Sequence, residues 1–178
     1  VYTTRIAVVF NLCIYYAYDV EFTNLFDRLT GVLNQGTYLR KIKKLKPQQT
    51  LVILDIDNFK DINDNYGHQL GDSCLCIVSQ AVKSTFGNYG HCYRIGGDEF
   101  AVILRKESKV ESLITRFERN FADKTKELSC QVNVSIGYAK YEINDSVESV
   151  VQCADLNMYN NKKAKKALKA TLETTVKK

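Results

Sequence analysis

The feature that most restricts the fold of this chain is a pair of apolar runs joined by two glycines and two acids, in the stretch YRIGGDEFAVIL. Tyr93–Ile95 and Phe100–Leu104 are β-branched, aromatic or aliphatic, which is typical of strands. Glycine reaches positive φ without a Cβ clash, so Gly96–Gly97 predicts a tight hairpin turn. Solvated turn residues would explain Asp98–Glu99 equally well, and this stretch alone does not decide whether the two acids do more.

The remaining patterns alternate between helices and strands. In chain order they predict helix 35–46, strand 50–57, helix 72–86, the hairpin, helix 110–121, strand 131–141 and helix 149–169. Asn34 is a suitable N-cap for the first of these helices, and Pro47 follows its end. This order predicts an α+β sandwich close to the ferredoxin-like arrangement, with a central, mostly antiparallel sheet flanked by helices.

Composition and charge restrict the class of protein. The chain has 178 residues, of which 45% are hydrophobic and 25% charged, as expected for one globular domain with flanking segments. Residues 162–178 contain seven lysines and one glutamate, a local charge of +6, so the total of +5 leaves −1 for residues 1–161. A near-neutral body lacks the cationic face that nucleic-acid binding needs, so we expect no nucleic-acid partner. The six cysteines have neither C-x-x-C spacing nor paired histidines, which excludes a typical zinc motif.

The first 26 residues are interpreted as a lead-in segment. Ile6–Tyr18 is almost entirely apolar or aromatic, but its 13 residues fall short of the ~20 that cross a bilayer. The segment also lacks the basic start and cleavage site of a signal peptide. Two interpretations stay open, namely the cytoplasmic end of a membrane helix and an amphipathic or buried helix. We expect a cytoplasmic domain, which the first interpretation would tether to the inner face of the cell membrane.

A second group of acids follows the predicted central strand, in the stretch LDIDNFKDINDNYGHQLGD. Carboxylates at a strand end, such as Asp55, placed beside Asp98–Glu99 would form a divalent-cation site. Mg²⁺ there would neutralise a triphosphate and lower the pKa of an attacking hydroxyl, with Lys60 facing the phosphates. Asn63 and Asp72 could contact a base edge, since a carboxylate accepts from the N–H donors of guanine. Helix caps, loop acids and turn glycines explain the same residues, so the patterns alone leave both interpretations open.

Five stretches of the chain together resemble the landmarks of one known family. They are DRLTGVLNQ, DIDNFKDINDNYGHQLGD, YRIGGDEFAVIL, VSIGYAKY and ADLNMYNNKKAKK, and they cover about residues 27–166 in the right order and at the right separations. In these stretches the chain is similar to the GGDEF domain, the diguanylate cyclases. The resemblance implies the palm-type fold of class III nucleotide cyclases, with a catalytic domain at 27–168 and a basic tail at 169–178.

The resemblance also implies an activity, the condensation of two GTP into cyclic di-GMP with release of two pyrophosphates. Mg²⁺ or Mn²⁺ would be the cofactor. Each 3′-hydroxyl must attack the α-phosphate of the other GTP in line, so one active site would need two domains, each with one GTP. A homodimer is therefore the expected catalytic species, because it brings the two nucleotides together in the right orientation. We also expect an upstream sensor or membrane domain in the full-length protein.

The functional positions of the family fall on a definite set of residues in this chain. The resemblance implies that Asp55, Asp98 and the backbone carbonyl of Ile56 are metal ligands, and that Asp98 and Glu99 are catalytic. The implied substrate-binding residues are Asn63 and Asp72 for guanine, Lys60, Lys162 and Lys166 for phosphate, Gly96 and Gly97 for close approach of the ribose and α-phosphate, and Phe59.

Three departures from the family pattern carry expectations of their own. The stretch GNYG, Gly87–Gly90, stands where the family often has the product-inhibition motif R-x-x-D, so we expect no feedback through that site. Gln35 replaces the usual arginine after the first landmark. Lys166 stands where an arginine often closes the last one. Lysine lacks the bidentate fork of arginine, so the phosphate contact there would be weaker.

Three other functions compete with the cyclase. A GTP-binding or cyclic-dinucleotide-responsive module without turnover would usually lose the signature acids, which are intact here. A related cyclase with an adenine-containing product is disfavoured by Asp72, because adenine offers no N1–H donor. A structural domain would leave the clustered acids unexplained.

Overall fold

Six helices and four strands account for the regular structure of the described chain. The computed structural model describes residues 2–105, 109–126 and 128–176, except for the side chains of 2–4, 18, 22–23 and 172–176. The elements are α1 (Tyr2–Leu25), α2 (Gln35–Ile42), β1 (Thr50–Ile56), α3 (Phe59–Tyr66), α4 (His68–Phe86), β2 (Gly90–Arg94), β3 (Glu99–Leu104), α5 (Val110–Thr125), β4 (Val134–Lys140) and α6 (Val147–Val176). The predicted lead-in, catalytic domain and tail each include residues outside the described ones, and their boundaries stay predictions.

The four strands form one sheet in the order β2-β3-β1-β4, and every neighbouring pair is antiparallel. β1 and β2 therefore run in the same direction with β3 between them, which is the split arrangement of ferredoxin-like folds. The predicted α+β class, with an antiparallel sheet flanked by helices, is confirmed. The hairpin predicted from the two apolar runs is confirmed as β2 and β3.

Both faces of the sheet are buried, each against different helices. Side chains alternate along a strand, so Val52 and Leu54 face the core shared with α4 and α5, whereas Leu51 and Ile53 face the core shared with α2 and α6. This double burial explains why the segment Leu51–Leu54 of β1 is continuously apolar. Asp55 continues the alternation of Leu51 and Ile53, which directs its carboxylate to the side covered by α6.

The long helix α6 covers the outer edge of the sheet along β4. Side chains four residues apart on α6 form hydrogen bonds with backbone groups of β4. These are Asn157 Nδ2 donating to Tyr138 O at 3.0 Å, Ile136 N donating to Asn161 Oδ1 at 3.2 Å and Lys165 Nζ donating to Val134 O at 2.6 Å. Three backbone groups of the edge strand are thus bonded within the chain, which makes this edge a poorer template for pairing with another strand.

Gly137 allows β4 and α6 to approach each other closely. A Cβ at this position would overlap the backbone nitrogen of Met158 and the backbone oxygen of Ala154, so the contact requires glycine. Lys162 lies about two turns beyond Ala154 on the same helix. The close contact therefore sets how far along β1 the Lys162 side chain reaches.

The acidic stretch after β1 contains a short helix, α3, that the sequence patterns did not predict. Phe59, Ile62 and Tyr66 stand at helical spacing, but the other five of its eight residues are polar or charged and Ile62 is its one buried residue among those described, so the apolar pattern is short. Gly67 separates α3 from α4 with φ of 85°, a conformation that favours glycine. The predicted helix 35–46 is also shorter than expected, since α2 ends at Ile42.

The lead-in forms α1, whose described apolar side chains face outward. Ile6, Phe10, Tyr15 and Tyr16 are between 65% and 71% exposed, and none of them belongs to either core. Among the described residues, none of the helices combines the length and the hydropathy that a bilayer crossing requires.

Candidate active site

Three strands bring acidic and hydroxyl side chains together where β1 ends. Asp55 of β1 is paired in register with Glu99 of β3 on one side and with Ser135 of β4 on the other. The backbone N–H of Ile56 donates to the carbonyl oxygen of Asp98 at 3.2 Å, which ties the β2–β3 loop to the end of β1. The proposed metal ligands and catalytic acids are therefore neighbours at the end of the sheet where β1 finishes.

The β2–β3 loop is closed by a hydrogen bond from Ile95 N to Glu99 O at 2.9 Å. The prediction of positive φ within this turn was wrong, because neither Gly96 nor Gly97 is among the glycines with positive φ. The two glycines differ in how much space a side chain would have at each position. A Cβ at Gly96 would lie 2.6 Å from Glu99 Oε2, whereas a Cβ at Gly97 would meet nothing within 4 Å. The backbone of Gly97, at the tip of the loop, is thus accessible from solvent.

Lys162 of α6 supplies a positive charge to this end of β1. Its Nζ forms an ion pair and hydrogen bond with Asp55 Oδ1 and lies 3.9 Å from Asp57 Oδ1. Ser135 Oγ donates to Asp57 Oδ1 at 2.7 Å, and Asp57 N donates to Asn133 O at 2.8 Å. The Asp55 and Asp57 side chains are 12% and 11% exposed, so water and salt screen these charges weakly.

The electrostatic environment of these acids is set by burial and by one another. Burial raises the pKa of Asp55; Lys162 opposes this rise, while the Asp98 and Asp57 carboxylates add to it. Burial also raises the pKa of Glu99, and neighbouring carboxylates raise it further. Burial acts to lower the pKa of Lys162, but the hydrogen bond and charge of Asp55 outweigh it, so the net shift is upward. One ammonium thus faces several carboxylates.

The donors around Asp55 suit a hard divalent cation. Mg²⁺ prefers oxygen ligands, keeps several waters, and is usually held by one or two carboxylates together with substrate phosphates. The Lys162 ammonium already stands between two of the carboxylates, so the site accommodates positive charge. In the part of the chain that the structure describes, no group of three or more His, Cys, Asp or Glu side chains could hold a metal ion. The carboxylate oxygens beside Asp55 fit a cation of this kind, shared with a bound phosphate.

Arg94 connects the β2–β3 loop to the loop that follows α1. Its Nη2 donates to the carbonyl oxygen of Gly97 at 2.7 Å, and its Nη1 pairs with Asp27. Two Thr30 hydrogen bonds, at 2.9 Å from the backbone N–H and 2.6 Å from Oγ1, hold the Asp27 carboxylate in place. The tip of the β2–β3 loop, at Gly97, is thus linked through Arg94 to Asp27 in the loop after α1.

The residues predicted to contact guanine lie on α3 and α4 where the two helices touch. A Cβ at Gly71 would overlap Asn63 Oδ1 and would lie 3.4 Å from Phe59 Cζ. The Asn63 side chain is therefore packed against the residue that precedes Asp72. Asp72 itself is exposed, while Phe59 is partly buried against the core.

The other two predicted phosphate contacts, Lys60 and Lys166, are exposed. Lys60 follows β1 at the start of α3, and Lys166 lies one turn beyond Lys162 on α6. Neither is part of the contacts around Asp55 described above.

Sequence patterns did not assign roles to several residues of the site. The position of Asp57 just after β1 would also suit a helix cap, but the N-cap of α3 is Asn58, and Asp57 faces Lys162. Arg94 and Asp27 lie inside two of the landmark stretches, and this was the one available signal for their pairing. Ser135 lies inside the landmark VSIGYAKY, but it falls within an ordinary strand pattern, so the sequence did not indicate its contact with Asp57.

Several curated relatives of this chain are named diguanylate cyclases. Diguanylate cyclase DgcN of Escherichia coli K12 is 35% identical over 153 residues, covering 79% of this chain and 37% of that protein. Diguanylate cyclase DgcS of Shewanella oneidensis is 31% identical over 154 residues, covering 81% and 51%. The chain spans about a third to a half of the length of such relatives.

Solved structures and a family model agree with this likeness. The coiled coil and GGDEF domain of DgcB from Caulobacter crescentus, in complex with c-di-GMP, has a TM-score of 0.75 at 24% identity and covers 90% of this chain and 92% of that one, which supports the palm-type fold. The GGDEF domain of the same protein has a TM-score of 0.69 at 27% identity, covering 79% and 91%. The family model described as diguanylate cyclase, GGDEF domain, matches residues 24–167. The chain belongs to the GGDEF domain family.

Proposed function

We propose that this chain is the catalytic domain of a diguanylate cyclase, which condenses two GTP into cyclic di-GMP and releases two pyrophosphates. The observation that carries the proposal is the meeting of Asp55, from β1, with Asp98 and Glu99, from the β2–β3 hairpin, beside Lys162. Curated relatives at 31–35% identity that bear the name diguanylate cyclase support it.

In this proposal each half-reaction forms one P–O bond and breaks one. The 3′-hydroxyl oxygen of one GTP attacks the α-phosphorus of the other, the bond between the α-phosphorus and the bridging oxygen breaks, and pyrophosphate leaves. Asp98 accepts the hydroxyl proton, and Glu99 supports the loop that carries it. A Mg²⁺ or Mn²⁺ ion held by Asp55, Asp98 and the Ile56 carbonyl would neutralise charge on the triphosphate.

The proposal assigns the surrounding residues to substrate binding. The assignments are Asn63 and Asp72 for guanine, Lys60, Lys162 and Lys166 for phosphate, Gly96 and Gly97 for the approach of the ribose and α-phosphate, and Phe59 as a further substrate-binding residue on α3. The open space beside Gly97 and the packing of Asn63 next to Asp72 support this arrangement. The exposure of Lys60 and Lys166 leaves both side chains accessible to a nucleotide.

A homodimer with one GTP per subunit is the proposed catalytic species, because a single domain cannot present both nucleotides to each other. We further propose that α1 leads to a sensor or membrane domain in the full-length protein. The catalytic domain would then lie on the cytoplasmic side. Its exposed apolar side chains support contact with another protein segment. The related DgcB structure also includes a coiled coil with its GGDEF domain.

Product inhibition through the position of the family's R-x-x-D motif is not expected in this proposal. That position is Gly87–Gly90, and a Cβ at Gly90 would overlap the backbone oxygen of Ile103, so an aspartate would not fit there without a shift. Initial rates at saturating GTP should therefore stay constant when cyclic di-GMP is added. Inhibition that excess GTP does not relieve would contradict this expectation.

The test of the proposed function compares wild type with Asp98→Ala in pyrophosphate release from Mg²⁺–GTP, with products identified by mass. We expect the variant to lose about 100-fold or more of the cyclic di-GMP formation, while GTP binding measured in parallel changes little. Asp123→Ala, which removes an exposed carboxylate on α5, is the matched control.

Each alternative outcome of this test has a definite meaning. Full activity of Asp98→Ala would refute the assignment of this acid. GTP binding by wild type without pyrophosphate release at high protein concentration would indicate a binding module. An adenine-containing product from a GTP and ATP mixture would indicate a different cyclase.

A further inference from the structure

Lys162 is bound to the carboxylate of Asp55, which is also a proposed ligand of the metal. Its Nζ is bonded to Asp55 Oδ1 and stands 3.9 Å from Asp57 Oδ1. We propose that Lys162 is a displaceable internal cation, which neutralises Asp55 and Asp57 in the metal-free protein and must leave Asp55 before a divalent cation binds there. This inference rests on the proposed function for the position of the metal and of the nucleotide phosphates.

Charge repulsion makes the two cations exclude each other. The Asp55 side chain is 12% exposed, so an ammonium and a divalent ion on the same carboxylate would repel each other with little screening. In the absence of a metal, the ammonium offsets the repulsion among the carboxylates of Asp55, Asp57 and Asp98. The charges of Asp98 and Asp57 act to raise the pKa of Asp55. Lys162 therefore stabilises the empty site and competes with the metal for it.

The surroundings of Lys162 allow the side chain to move while α6 stays in place. Asn157, Asn161 and Lys165 bind α6 to β4, and the close contact at Gly137 fixes the helix backbone. Lys162 itself is 26% exposed, more than either aspartate, so its flexible four-carbon stem has an open side. Displacement thus requires only a change of side-chain rotamers.

The proposed destination of the ammonium is the triphosphate of GTP. A bound triphosphate would draw Lys162 away from Asp55 and so increase the affinity of that carboxylate for the metal. By reciprocity, a bound metal would free Lys162 for the phosphates. One side chain would then couple metal binding to nucleotide binding, which makes Lys162 a positioning residue as well as a phosphate contact.

The experiment measures Mn²⁺ binding without nucleotide, by electron paramagnetic resonance of free Mn²⁺, in wild type and Lys162→Met. The variant keeps the apolar stem but removes the competing charge. We expect Mn²⁺ to bind the variant about tenfold more tightly than wild type, the size of effect of a hydrogen bond to a charged group. A residue with only a structural role would weaken metal binding or leave it unchanged when replaced.

Two further variants separate local competition from general effects. Lys163→Met removes the same charge from the same helix, at a side chain that lies 4.4 Å from the centre of the Tyr159 ring, and should change Mn²⁺ affinity less than about twofold. Asp55→Asn should lose the Mn²⁺ site. Thermal melting should show that Mn²⁺ stabilises Lys162→Met more than wild type, and Lys162→Gln provides the same measurements if the methionine variant does not fold.

The proposal is overturned if Lys162→Met and Lys162→Gln bind Mn²⁺ no more tightly than wild type, or if Lys163→Met shows an equal gain. It is equally overturned if Asp55→Asn binds Mn²⁺ as wild type does, since the metal would then lie elsewhere. Failure of the proposed function would be seen separately, as an absence of cyclic di-GMP from wild type with Mg²⁺–GTP. Competition between Lys162 and Mn²⁺ can hold in a protein that does not turn over.

Discussion

Arg94 and Asp27 form an ion pair in which one guanidinium nitrogen contacts both carboxylate oxygens, with Arg94 Nη1 lying 3.2 Å from Asp27 Oδ1 and 3.3 Å from Asp27 Oδ2. The same guanidinium donates from Nη2 and Nε to the carbonyl oxygen of Gly97. The two side chains are 16% and 24% exposed, which places the pair between a surface salt bridge and a buried one. One arginine therefore fixes the loop that carries Asp98 against the loop after α1.

Arg94→Lys should loosen this loop. Lysine has a single ammonium and no planar fork, so it cannot hold Gly97 and Asp27 in the same geometry. We expect the free energy of unfolding to fall by about 1–2 kcal/mol, as for the loss of hydrogen bonds to a charged group. Cyclic di-GMP formation should fall further than GTP binding, because Asp98 would be less well positioned. Urea unfolding and initial rates below the transition would measure both.

Arg28→Lys is the matched control for this substitution. Arg28 pairs with Asp19 at 3.3 Å, but these side chains are 71% and 47% exposed. Such a surface pair contributes little, so the change in stability should stay within about 0.5 kcal/mol and activity should not change. Equal effects of Arg94→Lys and Arg28→Lys would show that the link to Gly97 does not position the loop.

The Asp27 carboxylate should also give the protein a pH-dependent contribution to stability. Burial acts to raise its pKa, but the Thr30 hydrogen bonds and Arg94 outweigh burial, so the pKa lies below its ordinary value. A carboxyl group with a depressed pKa stabilises the folded state above the unfolded value of about 3.9, and this stabilisation is lost as the pH falls through the folded value. Asp27→Asn should therefore be less stable than wild type near neutral pH, and the difference should shrink in acid. A difference that is constant from neutral pH into acid would contradict this assignment.

The predictable parts of this fold are those with a local signal. The apolar run within β1 and the N-cap Asn34, which accepts from Thr37 N at 2.9 Å, follow from neighbouring residues alone. The helix α3 has apolar residues at helical spacing, but its eight residues are too few for that period to be distinguished from a loop. The pairs Arg94–Asp27 and Lys162–Asp55 join positions 67 and 107 residues apart. No spacing rule connects such positions, so only the folded chain shows which acid each cation meets.

Gly137→Ala should destabilise the contact between β4 and α6. The added methyl group would overlap two backbone atoms of α6, at Met158 and Ala154, which cannot move aside as a flexible side chain can. Overpacking of this kind costs about 1–3 kcal/mol or more, and Lys162 would be displaced with the helix. Urea unfolding and Mn²⁺ binding would both report the change.

Gly97→Ala provides the contrast. A Cβ there meets nothing within 4 Å and the residue does not have positive φ, so stability should change by less than about 0.5 kcal/mol. If the nucleotide approaches this backbone as proposed, GTP binding should nevertheless weaken. Equal losses of stability in the two glycine variants would contradict the close approach at Gly137.

Gln35→Arg should create a new ion pair, at the position where Gln35 replaces the arginine that is usual in the family pattern. Gln35 lines a cleft together with Glu99 and Asp155, and burial raises the pKa of both acids, with neighbouring carboxylates adding to the shift at Glu99. An arginine would favour their ionised forms, but it would also stand at the start of α2, where the helix dipole disfavours a cation. A double-mutant cycle with Asp155→Asn cancels this second effect and should give a favourable coupling of about 0.5–1 kcal/mol. Because the coupling requires ionised Asp155, it should be largest near neutral pH and vanish in acid. A coupling of zero at neutral pH would show that the cleft does not bring position 35 to the acids.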